Sequence, residues 1–216
     1  MCDELATTRE HAPPQSMFPR RHRRNLITIP SCKQHNNEKS GDDEYLRFVI
    51  TTYYGSNKEG LEVFHDKVMR GFRYRPNLIR SFFFKGPLYP VTVNGQPSMA
   101  FTFDRARLEK MMTYMARAIY FDEFHSKWNE ELQVFLVSAS YPPSEPDHAK
   151  KNAQLAQFKD IQFQGAKVGD NPEIFYYQLL ADDADRTTRL RMVFYQGFVV
   201  WVVPLRLLTK LVEQDH

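Results

Sequence analysis

Apolar and polar positions alternate with two periods along the chain, and the change from one to the other marks out most of its elements. Behind the acidic run "SGDDE", Tyr45, Phe48, Val49 and Thr52 recur at the spacing of one helix face, and the acids suit a first helical turn. Leu61, Phe64, Val68 and Phe72 predict a second helix. "YPVTVNGQPSMAFTF" predicts two short strands around an Asn94-Gly95 turn, and Leu108, Met111, Met112, Met115 and Ile119 form a stripe on the helix that follows. "LQVFLVSASY" reads as a buried strand and "PPSEPDHAKKNAQ" as a polar excursion. "EIFYYQLL" and "RLRMVFYQGFVVWVV" read as strands, the second folding back at Gln196-Gly197, and Leu205 to Val212 as a short terminal helix. Residues 41–216 are therefore expected to form an α+β body with a continuous core, in which the Met and aromatic stripes serve packing rather than a ligand pocket. No internal repeat or low-complexity tract interrupts it.

Residues 1–40 have a different character. They hold few large apolar side chains and several turn-formers, among them Pro13, Pro14, Pro19 and Pro30, and so small a piece needs a metal or a neighbour to hold it together. The whole-chain net charge is +3, and the first 40 residues carry all of it, so the other 176 residues sum to zero. Excess positive charge on one segment is what a phosphate-binding surface requires. Both cysteines, Cys2 and Cys32, also lie there, a placement that favours metal binding over a disulfide framework. No apolar run approaches the length of a bilayer span, and no basic-then-apolar leader opens the chain. The expectation is a soluble, cytoplasmic protein with no membrane partner.

The N-terminal segment also concentrates groups with chemistry. Cys32-x-x-His35 is a compact chelate for a tetrahedral ion, with Cys2 as a third ligand; the fourth ligand expected of such a knuckle would fall three residues before Cys2, upstream of Met1. Glu10-His11 sets an acid beside an imidazole. On a flat strand the two would face opposite ways, so they can serve one site only if the strand twists or ends at once, and Pro13-Pro14 supplies such a break. Glu10 and Asn36 would make a weak hard-oxygen site suited to Mg²⁺ on a phosphate. Taken singly, Asn25 reads as a turn residue, Asn36 as a helix cap and Glu10 as a solvated acid. His22 reads as solvated, and His65, His125 and His148 as surface residues.

In the order "REHAPPQSMF", "NLITIPSC", "HNNEKS", the segment resembles the HNH, or ββα-metal, nucleases, whose pattern is Asp/Glu-His, a proline-containing loop, Asn-Leu, then Asn-x-x-Lys. The resemblance covers about 40 of the 216 residues. It implies a ββα module at 1–54 followed by an α+β accessory domain of mixed helices and antiparallel sheet at 55–216. It further implies that His11 is the general base, that Asn25 braces the loop and orients it, and that Glu10 and Asn36 hold one Mg²⁺ or Mn²⁺. Cys2, Cys32 and His35 would take the place of a structural Zn²⁺ knuckle. Arg20, Arg21, Arg23 and Arg24 would meet the phosphates of DNA, with RNA as the other substrate class. The expected function is a bacterial endonuclease that hydrolyses phosphodiester bonds. Its biological setting, a phage-defence or mobile-element system with a second copy or a partner protein, is an expectation by analogy alone. Two rivals from another class are a folded but inactive nucleic-acid-binding module, and a zinc site built from Cys2, His11, Cys32 and His35.

Overall fold

The computed structural model describes residues 4–32, 40–77, 86–159, 165–182 and 187–207. The chain is a mixed α+β protein whose sheets are all antiparallel. Strands β1 (Thr8–His11) and β2 (Thr28–Ser31) pair into a ribbon, and helix α1 (Ser40–Thr51) follows. Helix α2 (Lys58–Val63) runs through a π segment (Phe64–Met69) into α3 (Arg70–Tyr74). Strands β3 (Leu88–Val93) and β4 (Gln96–Phe101) make a separate hairpin. Its turn residues Asn94 and Gly95 have φ of 52° and 78°, the left-handed pair that Asn-Gly adopts readily.

Helix α4 (Arg105–Phe124) lies between that hairpin and β5 (Leu132–Leu136) in the chain; α5 (His148–Lys159), β6 (Val168–Asn171), β7 (Phe175–Asp182), β8 (Thr187–Phe194) and β9 (Phe198–Pro204) complete the order. The last five strands form one sheet in the order β5-β9-β8-β7-β6. The chain folds back between β8 and β9 as the sequence predicts, with Tyr195 and Gln196 at φ of 46° and 60°. Gly197 is required there for space, because a Cβ would sit 2.0 Å from the Gly55 carbonyl oxygen.

The stripe of α4 is buried as predicted, and Leu108, Met112 and Ile119 are completely covered. It shares one buried cluster with Leu190, Met192, Phe194, Val200 and Val202 of the sheet, with Tyr45, Leu46, Phe48 and Ile50 of α1, and with Ala12, Met17, Phe18 and Ile29 of the N-terminal segment. Neighbours therefore supply the core that residues 1–40 lack. Of the second predicted stripe, Val68 and Phe72 are buried, but Leu61 is 50% exposed.

One expectation needs correction. The excursion "PPSEPDHAKKNAQ" runs into helix α5, which Leu155 alone anchors among its residues of known burial, so no hydrophobic stripe announces it. Side-chain bonds hold its first turns: Asn152 exchanges hydrogen bonds with the Tyr141 backbone at 2.7 and 3.0 Å, and Lys151 meets Glu145 at 2.7 Å. The polar strand β6 gives no periodic signal either. Of the terminal helix, Leu205–Leu207 are helical and the remainder lies outside the described residues. Among the described residues, no helix is long and apolar enough to cross a membrane.

The buried Tyr195 hydroxyl donates to the Met17 carbonyl at 2.6 Å. Tyr195→Phe should therefore lower the unfolding free energy by about 1–3 kcal/mol, the cost of leaving a buried carbonyl unpaired. Urea titration of the two proteins measures this, and an unchanged midpoint would show that the bond contributes nothing.

Candidate active site

In the ribbon, Thr8 faces Ser31, Glu10 faces Ile29 and His11 faces Thr28. One more backbone bond, from Ala12 N–H to the Ile27 carbonyl at 3.1 Å, closes the ladder before the chain leaves through Pro13-Pro14. His11 is thus the last residue of its strand. Its Nδ1 lies 3.0 Å from Thr28 Oγ1, and the same hydroxyl donates to the Leu26 carbonyl at 2.9 Å. A threonine hydroxyl has a single proton, so the proton between the two side chains must come from the imidazole. With the hydroxyl proton directed at the Leu26 carbonyl, Nδ1–H donates to Thr28, and in a neutral ring of this tautomer the lone pair is on Nε2.

Glu10 and His11 both line a narrow cleft of about 30 Å³, together with Asp42 and Asp43 from the first turn of α1. Leu46, Met111 and Met115 make its apolar wall. Adjacent strand residues can share the cleft because the ribbon ends at His11 while α1 and α4 close around its tip. The space holds roughly two water molecules, or an ion with one. Arg107 grips Asp42 at 2.6 and 2.7 Å and lies over the Tyr45 ring at 4.3 Å. Sequence reasoning misses Asp42 and Asp43, since acids opening a helix read first as partners of its dipole.

Of the other candidates, Cys2, His35 and Asn36 lie outside the described residues. Among the described residues, no three His, Cys, Asp or Glu side chains are grouped to hold a metal ion. Cys32 is buried just beyond β2, four residues from Thr28 and so roughly 13 Å along the strand from His11's partner. Zinc ligands must converge within ~2.3 Å of one ion. His11 and Cys32 thus stand at opposite ends of the ribbon, farther apart than the ligands of one tetrahedral ion. Asn25 is exposed with φ of 51°, the left-handed turn position that asparagine tolerates, and the bond that orients the imidazole comes from Thr28.

The arginine run divides in two. Arg21 makes a bidentate pair with Glu62, both bonds 2.6 Å, and this pairing holds the Glu62 carboxyl below the usual carboxylate range. Arg23 Nε donates to the Phe18 carbonyl at 3.1 Å. Arg20 and Arg24 are exposed. His22, expected in solvent, is instead half-buried, with Nδ1 at 2.9 Å from Glu173. The reason is tertiary: the turn just before β7 brings Glu173 against the loop, and Asn171 there donates to the Arg24 carbonyl at 3.5 Å.

The chain matches no family model, no curated protein and no solved structure. Its chemistry therefore has to follow from the geometry of the site itself.

Lys67 pins the loop that leads away from His11, donating to the carbonyls of Ser16 at 2.6 Å and Phe18 at 3.0 Å. Burial, and then the nearby charges of Arg23 and Arg47, push its pKa down from 10.5 to about 8. A lysine pKa lower in the folded than in the unfolded chain means that its charge opposes folding. That penalty is fully present below pH 8 and is relieved as pH rises from about 8 to 10.5. Wild-type stability relative to Lys67→Met should accordingly increase over this window in urea titrations. A difference independent of pH would show that the carbonyls hold the ammonium strongly enough to offset its burial.

Proposed function

We propose that the chain is a metal-dependent phosphodiester hydrolase of the HNH type acting on DNA. The observation that carries the reading is His11, an imidazole at the ribbon's end oriented through Nδ1 by the Thr28 hydroxyl, lining one cleft with Glu10 and Asp43. The order strand, loop, strand, helix around it is the order that the ββα name describes.

In this reading Nε2 takes a proton from water as the oxygen attacks phosphorus, and the imidazolium so formed keeps its Nδ1–H bond to Thr28. Carboxylate and amide oxygens are the donors that a hard divalent cation takes, and Glu10 and Asn36, joined by Asp43, would hold Mg²⁺ or Mn²⁺. When bound, the ion supplies positive charge at the phosphate and the departing 3′ oxygen. The apolar wall of Leu46, Met111 and Met115 keeps bulk water from one side of the cleft. Arg20 and Arg24, exposed on the same loop, meet flanking phosphates without reading sequence. Zn²⁺ on Cys2, Cys32 and His35 would sit at the ribbon's other end, away from the chemistry.

Plasmid nicking in Mg²⁺, Mn²⁺ and EDTA tests the reading directly. His11→Ala should leave the fold and DNA binding in place and lower the rate about 10²–10⁴-fold, the usual contribution of a positioned base; nicking at the wild-type rate would falsify the assignment. Thr28→Val should cost less, roughly 3–10-fold, the worth of one net hydrogen bond, and should alter the pH profile on its basic-group limb. Replacing Arg20 and Arg24 with Gln should flatten the salt dependence of binding by about 0.9 log unit for each phosphate no longer neutralised. An unchanged slope would place the phosphate path elsewhere.

A further inference from the structure

A second cavity, of about 470 Å³, opens at the other end of α1. Its walls are the end of that helix with Tyr53 and Tyr54, both strands of the β3–β4 hairpin, the segment Ser138–Ser140, and Phe198. Among the described residues that line it there is no Asp, Glu, Lys, Arg or His. Packing and hydrogen bonds hold the lower part together. Tyr53 meets Phe198 edge-on, with ring centroids 5.6 Å apart, and lies 4.7 Å from Tyr54. Ser138 Oγ donates to the Gly197 carbonyl at 3.0 Å and accepts from Val199 N–H at 2.9 Å. Arg105 braces the adjoining wall, donating to the Ala139 carbonyl at 2.6 Å while its guanidinium stacks 3.8 Å over Tyr141. At the rim Tyr54 is 66% exposed, its ring tilted against that of Tyr53.

We propose that this cavity binds an uncharged nucleoside, its base against the Tyr53 and Tyr54 rings and its polar edge on the surrounding hydroxyls. The volume falls in the range of small-molecule sites. An anionic ligand would find no cation in the lining, and a hydrocarbon would cover polar lining residues such as Ser98 and Ser140 without pairing them. A planar ring that both donates and accepts hydrogen bonds suits stacking faces set among hydroxyls. The site shares no lining residue with the cleft at His11. It does not rest on the hydrolase reading.

Titration calorimetry of the full chain with adenosine, guanosine, cytidine and thymidine tests this, alongside Ala100→Phe and Ser98→Phe, which fill the cavity from the hairpin. Both positions lie outside the buried core, so each variant should keep the wild-type melting curve, and either one suffices if the other misfolds. At least one nucleoside should bind saturably, the filled variants should weaken it about tenfold or more, and His11→Ala should leave it unchanged. Failure of all four nucleosides to bind, equal binding by the filled variants, or binding of decanol in their place would each overturn the proposal.

Discussion

The loop that joins the ribbon strands inserts Met17 and Phe18 in the core, and its consecutive carbonyls at Ser16, Met17 and Phe18, one buried and two partly buried, must find donors. The loop cannot supply them from its own backbone alone. Lys67 reaches Ser16 and Phe18 from the π segment, Tyr195 reaches Met17 from the turn between β8 and β9, and Arg23 adds a second donor at Phe18. These bonds fix where the N-terminal segment sits. With Met17 and Phe18 inserted in the core, the strands enter and leave the loop at set positions, and His11 comes to lie at the ribbon's tip.

The arrangement crowds cations. Lys67 lies within electrostatic reach of Arg23, Arg47 and Arg70, with Asp66 as a partial offset, and burial together with these charges depresses its pKa. At about pH 8 the neutral amine becomes accessible, and it still has the two N–H groups that the two carbonyls need. The π segment, Phe64–Met69, carries this lysine.

Helix α1 and the residues that follow it reach both the cleft and the second cavity. Its first turn brings Asp42 and Asp43 to the cleft of His11, and the residues at its far end bring Tyr53 and Tyr54 to the second cavity. Two bonds lock it against α4: Arg107 holds Asp42, and the Tyr45 hydroxyl accepts the Asp104 backbone N–H at 2.6 Å. The same Asp104 caps α4 through the Arg107 N–H at 3.0 Å, so one helix start positions both the cap and the ion pair. Asp42 and Asp43 thereby join Glu10 and His11 in the lining of one narrow cleft, against an apolar wall of Leu46, Met111 and Met115.

Local pattern determined the elements. The spacing of Tyr45, Phe48 and Val49, the Asn94-Gly95 turn, the methionine stripe and the fold-back before Phe198 were all legible, because each depends on periodicity or on turn geometry within a few residues. Glu10 and His11 could likewise be picked out as a pair. Helix α5 and strand β6 were not legible, since neither has a buried stripe to read. Tertiary structure alone decided that Thr28 orients His11, that Asp42 and Asp43 join it, that His22 meets Glu173, and that His11 and Cys32 stand at opposite ends of the ribbon. The reason is distance along the chain: these contacts join residues 17 to 151 positions apart, and their geometry follows from strand register and helix packing, which no short window of sequence encodes.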